Sequence, residues 1–151
     1  MRKLLFAIAF CCLGQANVSA QCGTSVLEAF GATSALALYN TYITIGSIAD
    51  GYVGKTYESD YTITLMDEQL TMIKNIQDYI DKLLKDKKSG ISDDDKAYLR
   101  EMKSCLDDLY DEAQGLKEYA TDGSESGSNK YNKARNSAWA KIEDILGLGG
   151  E

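Results

Sequence analysis

Three groups of residues in this chain have types and spacings suited to chemistry, and the first resembles a phosphate-binding loop. The segment 49–56 ends in Gly54-Lys55-Thr56, and the run 63–68 resembles a hydrophobic strand with an acidic, magnesium-binding end. A phosphate loop must lead into a full helix before the chain returns to a neighbouring strand. Only six residues separate Thr56 from Ile63, so the spacing argues against nucleotide binding.

A cluster of carboxylates forms the second group. Asp107, Asp108, Asp111 and Glu112 stand at helical spacing, on the side of a predicted helix away from its apolar residues. This position predicts a solvated helix face rather than a calcium or catalytic site. The chain also contains no histidine, the commonest general base and metal ligand. We therefore predict no catalytic residue, no metal ligand and no cofactor, and we expect that the protein is not an enzyme.

The first twenty residues predict export from the cytoplasm. Arg2 and Lys3 precede an apolar run over 4–13, and Val18-Ser19-Ala20 offers the small residues that a signal peptidase accepts. We predict a cleavable signal peptide at 1–20, a mature chain that begins at Gln21, and a periplasmic or extracellular location.

Two cysteines of the predicted mature chain form the third group. Cys22 and Cys105 are an even pair in an oxidising compartment, which makes them a candidate disulfide. The alternative is that they are independent, with Cys105 a small residue on a helix surface and Cys22 near the new N-terminus.

The size and charge of the mature chain limit its partners. Residues 21–151 have the length of a single domain. The full chain has a net charge of −7, and the predicted signal peptide contains two of the basic residues and none of the acidic ones, so the mature charge is −9. A nucleic acid or an anionic membrane is therefore disfavoured as a partner.

Hydrophobic periodicity predicts an all-α protein, an antiparallel bundle of three to four helices. The chain contains no proline to kink a long helix. The clearest predicted helix starts with the capping pattern at 92–95 and ends near 121–123. Its apolar seam has the spacing of a heptad repeat: Leu99, Met102, Leu106, Leu109, Ala113, Leu116 and Ala120. The polar run at about 122–128 predicts a flexible linker before a last helix at about 129–146.

The predicted second helix, at about 62–88, has an unusually wide apolar face. The width predicts that this helix is buried against more than one neighbour. The residues of the face are Leu65, Met66, Leu70, Met72, Ile73, Ile76, Tyr79, Ile80, Leu83 and Leu84.

The predicted first helix contains no charged residue over 29–49. Twenty-one residues are enough to span a bilayer, but residues such as Gly31, Asn40 and Thr44 make the segment too polar for a typical membrane span. We predict a central bundle helix surrounded by its neighbours. The alternatives are that the segment 29–49 docks into another protein or inserts conditionally into a membrane, and the composition does not favour membrane contact.

Three tyrosines punctuate the predicted connection between the first two helices. Tyr52, Tyr57 and Tyr61 lie in a polar stretch where Gly51 and Gly54 are expected to break the helix. Tyrosine gives a large amphipathic contact area, so these residues are candidates for partner contact. The alternative is that they only cover the end of the bundle.

The segments around these features resemble a known class of envelope proteins. An uncharged helix followed by the run 48–52, and the run 89–96 leading into 102–105, look similar to periplasmic minor-pilus or conjugal-transfer subunits of type IV secretion systems. The cleavage junction resembles that of Bacteroidetes signal peptides. The resemblance implies a non-enzymatic helical bundle that works by protein–protein contact in the cell envelope.

The expected function follows from these features. We expect an exported, non-catalytic bundle that binds another protein, or a second copy of itself, as a structural or binding subunit of an envelope, conjugation or secretion assembly. The alternative is a secreted effector or inhibitor whose uncharged first helix engages a membrane or a target protein.

Overall fold

A computed structural model describes residues 29–87 and 90–148 of the chain. These residues form four helices and no strand: α1 at 29–53, α2 at Ser59–Lys85, α3 at Asp93–Asp122 and α4 at Glu125–Leu146. The predicted all-α bundle is confirmed, and it has four helices. The predicted signal peptide, its cleavage site and Cys22 lie outside the described residues.

The chain divides by compactness into residues 1–34 and 35–151. Within the first unit, the described residues 29–34 are helical, and Thr33 Oγ1 donates a hydrogen bond to the carbonyl of Ala29 over 2.8 Å. The bundle described below is formed by the second unit.

Helix α3 runs antiparallel to both α2 and α4. Along α2 and α3, Asp67 contacts Lys117 and Gln77 contacts Asp107, so the residue numbers rise on one helix as they fall on the other. Contacts between α3 and α4 follow the same rule, from Glu118 with Lys130 to the contact of Asp108 with Lys141. Helix α1 packs against α4. The rings of Tyr42 and Trp139 are tilted relative to each other, and their centres lie 5.4 Å apart.

The seam predicted for α3 forms the middle of the core. All seven of its residues are buried, and Leu109 and Ala113 have no exposed surface. One buried cluster joins the seam residues from Leu99 to Leu116 to residues of the other three helices, including Ile45 of α1, Ile73 of α2 and Ile142 of α4. Because each helix turns its buried residues toward this core, the opposite face of each helix is exposed to solvent.

The connection between α3 and α4 is shorter than predicted. The predicted linker at 122–128 is wrong, because Gly123 in the left-handed conformation ends α3 and Ser124 begins α4 at once. The Ser124 hydroxyl accepts a hydrogen bond from the backbone N–H of Gly127 over 3.2 Å, as an N-cap does. Asp122 holds the turn by accepting from the Ser124 N–H at 2.8 Å.

Two glycines bring α3 and α4 close together. A Cβ atom at Gly115 would lie 2.4 Å from the backbone nitrogen of Tyr131, and one at Gly127 would lie 2.5 Å from that of Tyr119. Each glycine therefore lies against the backbone of the opposite helix, where no side chain fits. The glycine and serine content that suggested a linker instead serves helix packing.

The connection between α1 and α2 also differs from its prediction. Gly51 does not break the helix, since α1 continues to residue 53. The ring of Tyr57 fills the space beside Gly51, where a Cβ atom would lie 2.4 Å from the ring. Lys55, with φ of 58°, takes the left-handed conformation and turns the chain toward α2.

Candidate functional site

An ion pair joins a buried glutamate of α3 to a partly buried arginine of α4. Arg135 Nη1 donates to Glu112 Oε1 over 2.7 Å, and Glu112 has no exposed surface. The same guanidinium nitrogen donates to the backbone carbonyl of Tyr42 over 3.3 Å, which links α1 to the pair. Burial raises the pKa of Glu112 to about 7, against the lowering effect of Arg135.

Aromatic rings enclose the Arg135 guanidinium. Its central carbon lies 4.0 Å from the ring centre of Tyr42 and 6.0 Å from that of Tyr131, within the range of cation–π attraction. Gly46 makes room for the group, since a Cβ atom there would lie 2.6 Å from both terminal nitrogens. Burial raises the pKa of Tyr131 to about 12. The ion pair and its rings thus form a packed junction of α1, α3 and α4.

The buried carboxylate is enclosed rather than open to a substrate. A carboxyl group with a pKa near 7 has the proton affinity of a general acid or base. Glu112 Oε2, however, is sealed from solvent and has no hydrogen-bond partner in the described residues. A reacting group cannot approach this oxygen in the folded bundle. The ion pair therefore specifies how three helices pack.

The carboxylate cluster on α3 is only partly the solvated face that was predicted. Asp107 and Asp111 are exposed, as expected. The prediction is wrong for Glu112 and for Asp108, which accepts from Ser137 Oγ at 2.7 Å and from Lys141 Nζ at 2.6 Å. Periodicity on one helix located the core seam but not the second face that α4 covers. Among the described residues, no group of three or more histidine, cysteine or acidic residues could hold a metal ion.

Cys105 is a free, fully buried thiol in the core cluster. The alternative position on a helix surface is therefore wrong for this residue. Burial raises the pKa of Cys105 to about 12, which keeps the thiol protonated.

The glycine-lysine-threonine run lies at the C-terminal end of α1. The backbone N–H of Gly54 donates to the carbonyl of Asp50 over 2.8 Å, and that of Thr56 donates to Gly51 over 2.8 Å. The amide groups that would cradle a phosphate are thus bonded to the last carbonyls of the helix. This end of a helix dipole is also negative, which disfavours an anion.

The three predicted contact tyrosines differ in their surroundings. Tyr52 packs partly buried against the core and meets Tyr119 edge to face, with ring centres 5.7 Å apart. Tyr57 is also partly buried against the core. Only Tyr61 is open, with 53% of its surface exposed. Two of the three tyrosines therefore cover the end of the core, and Tyr61 belongs to the outer side of α2.

The wide apolar face of α2 consists of two adjacent seams. Met66, Leu70, Ile73 and Ile80 are buried in the bundle. The predicted burial is wrong for the second seam, which we call the outer stripe: Met72, Ile76, Tyr79 and Leu83. These four side chains are 49%, 42%, 66% and 41% exposed. The neighbouring helices cover one seam, and the outer stripe remains open to solvent.

The outer stripe is the candidate functional site of the described residues. Its members follow one another at spacings of four, three and four, the pattern by which one helix packs against another. A row of exposed apolar side chains that continues over two turns or more of one helix differs from isolated apolar residues scattered over a surface. The sequence signal for this surface was the excess width of the α2 face.

Comparisons with protein-family models, curated proteins and solved structures find no match. Within residues 29–87 and 90–148, no helix has both the length and the apolar character needed to cross a membrane.

Proposed function

We propose that this protein is a non-catalytic helical bundle that binds another protein through the outer stripe of α2. The supporting observation is a seam of four apolar side chains at heptad spacing, each more than two-fifths exposed. Burying such side chains against a partner helix removes apolar surface from water, at about 25 cal/mol per Å².

The proposed setting is the cell envelope. The signal peptide predicted from the sequence supports a location outside the cytoplasm, and the resemblance to minor-pilus and conjugal-transfer subunits supports a structural or binding subunit of a secretion assembly. The acidic charge of the chain favours a protein partner over a nucleic acid. Two residues of the α3 carboxylate cluster, Asp108 and Glu112, form ion pairs with α4 and so contribute to the packing of the bundle.

The test is capture of envelope proteins by the immobilised chain. Ile76→Asp introduces a charge into the outer stripe, and we expect it to abolish capture while helicity and the melting temperature stay within the wild-type range. Ile43→Asp is the matched control, because Ile43 on α1 has the same exposed fraction, 42%. Equal capture by wild type and Ile76→Asp would contradict the proposal.

A second candidate function is that of a secreted effector or inhibitor acting through α1. Leu36 and Ile43 are 54% and 42% exposed on a helix without charged residues up to residue 49. This function predicts leakage of dye from liposomes, or inhibition of a target enzyme, that Ile43→Asp removes. The outer-stripe proposal predicts inertness toward liposomes.

A further inference from the structure

Most of α1 is attached to the bundle without ion pairs. Residues 35–49 contain no charged side chain, so this part of α1 forms no ion pair with its neighbours. The other three helices are joined to one another by such pairs. Asp67 bonds to Lys117 between α2 and α3, and Asp108 bonds to Lys141 between α3 and α4. The attachment of α1 therefore depends on apolar packing and on hydrogen bonds to uncharged groups.

A polar link reaches α1 from the ion pair of α3 and α4. Arg135 Nη1 donates to Glu112 Oε1 over 2.7 Å and to the backbone carbonyl of Tyr42 over 3.3 Å. Both terminal nitrogens of the guanidinium also lie against Gly46, where a Cβ atom would lie 2.6 Å from them. Helix α1 therefore covers the arginine that pairs with Glu112, and release of α1 would open this junction to water.

Glu112 is the group of this junction whose charge changes near neutral pH. Its Oε2 atom is buried and has no hydrogen-bond partner in the described residues. The titratable groups that face it are Tyr42 of α1, Arg135 and Tyr131 of α4, and Cys105 of α3. Burial raises the pKa of both tyrosines and of the thiol, so these three groups stay neutral near neutral pH. The residues that α2 buries are all uncharged.

We propose that α1 is a detachable helix whose release from the bundle is controlled by the charge on Glu112. A neutral carboxyl group costs less to keep buried than an ionised one, so protonation favours the closed junction. Water that enters when α1 leaves stabilises the ionised carboxylate. Acid pH therefore holds α1 in place, and neutral or higher pH favours its release.

This inference goes beyond the proposed function, because it concerns α1 rather than the outer stripe. Release exposes the side chains that α1 buries in the core, including Leu38, Ile45 and Ile48. These side chains then become available to contact another molecule. The proton on Glu112 would thus regulate whether an apolar face of α1 is hidden or accessible.

The direction of the effect follows from proton binding. Glu112 has a pKa of about 7 in the closed junction and an ordinary value of 4.5. Between these values the closed state binds more protons than the open state, so the equilibrium constant for opening rises with pH. The two pKa values allow a rise of up to about three hundredfold, which is complete above the higher pKa.

Hydrogen exchange of the backbone amides, followed by mass spectrometry and corrected for intrinsic exchange rates, tests this proposal. We expect the opening constant of residues 35–49 to exceed that of residues 99–120 of α3 at every pH, because α1 leaves while the rest of the bundle stays folded. It should rise by about tenfold to three hundredfold between pH 4.5 and 7. Equal opening constants for the two segments would overturn the proposal, because exchange would then require unfolding of the whole bundle.

Two variants assign the pH dependence to one carboxyl group. Glu112→Gln keeps the size of the side chain and removes the titration, so the rise in the α1 opening constant should disappear. Asp111→Asn is the matched control, because Asp111 is exposed on the same helix, and it should keep the wild-type rise. The same rise in Glu112→Gln as in wild type would overturn the proposal. A wild-type opening constant of α1 that does not change with pH would overturn it as well.

Discussion

Arg135 of α4 and Glu112 of α3 form a hydrogen-bonded ion pair 2.7 Å long, in which the glutamate is fully buried and the arginine side chain is 27% exposed. Only one carboxylate oxygen is bonded in the described residues, and Tyr42 and Gly46 of α1 shape the space around the guanidinium. A buried pair of this kind is not a large net source of stability, but a charge left without its partner is costly. The pair therefore fixes the relative positions of three helices.

Removal of one partner should destabilise the bundle strongly. We expect Arg135→Met to lower the free energy of unfolding by about 3–5 kcal/mol, because it leaves a buried carboxylate unpaired. The double variant Glu112→Leu with Arg135→Met should recover more than half of that loss. Lys133→Met, at an exposed position of α4, is the control and should change little. Urea unfolding measures all four proteins, and equal losses in the single and double variants would contradict the account.

The Glu112 carboxyl should also give the stability a pH dependence. Its pKa is about 7 in the folded chain, against an ordinary value of 4.5. Between these values the folded state holds a proton that the unfolded state has released, so the free energy of unfolding falls as the pH rises. The contribution is full below the ordinary pKa and lost above the folded one, and its size is about 3 kcal/mol.

Comparison with Glu112→Gln isolates this contribution. The pKa of Glu118, bonded to Lys130, and that of Asp122, bonded to Ser124, are lowered, so their stabilising effects disappear toward acid pH in both proteins. We expect the difference in unfolding free energy between wild type and Glu112→Gln to change steadily between pH 4.5 and 7. A constant difference over this window would show that Glu112 does not titrate there.

The close approach of α3 and α4 predicts sensitivity at both contact glycines. Gly115→Ala and Gly127→Ala would each press a methyl group into the opposite backbone, which must move. We expect each to lower the free energy of unfolding by about 1–3 kcal/mol, as overpacking does. Ser126→Ala, at the exposed neighbouring position, is the matched control. If Gly127→Ala and Ser126→Ala had the same melting temperature, the close contact between α3 and α4 would be refuted.

Substitutions of Tyr52 and Tyr61 should differ in their effect on stability. Tyr52→Ala removes a ring that packs on the core and on Tyr119, so we expect a loss of about 1–3 kcal/mol. Tyr61→Ser, on the exposed side of α2, should leave the melting temperature nearly unchanged. A large loss in Tyr61→Ser would mean that this residue also belongs to the core.

The α3 helix was predictable because its local and tertiary signals agree. Ser92 caps the helix by accepting from the N–H of Asp95 at 3.1 Å, and the seam from Leu99 to Ala120 faces the core. Propensity, capping and periodicity all act within this one segment of the chain. A sequence pattern therefore determines where α3 lies and which of its faces is buried.

Features that depend on a second helix were not predictable in the same way. The composition at 122–128 fits both a flexible linker and a close helix contact, and the structure uses Gly127 for the contact. Glu112 lies off the α3 seam, yet α4 buries it because Arg135 stands opposite. The apolar width of α2 likewise predicted more neighbours than the described bundle supplies. Each of these outcomes depends on the residues that a facing helix supplies, which the pattern of a single segment does not contain.

Photo-cross-linking in the producing cell tests most directly whether the outer stripe is a protein-binding surface. A photoreactive amino acid replaces Ile76 in one strain and Ile43 in another, and the mass of each adduct distinguishes a second copy from a different protein. We predict a discrete protein adduct from position 76 and little or none from position 43. A chain that cross-links from position 43 and not from position 76 would contradict the account.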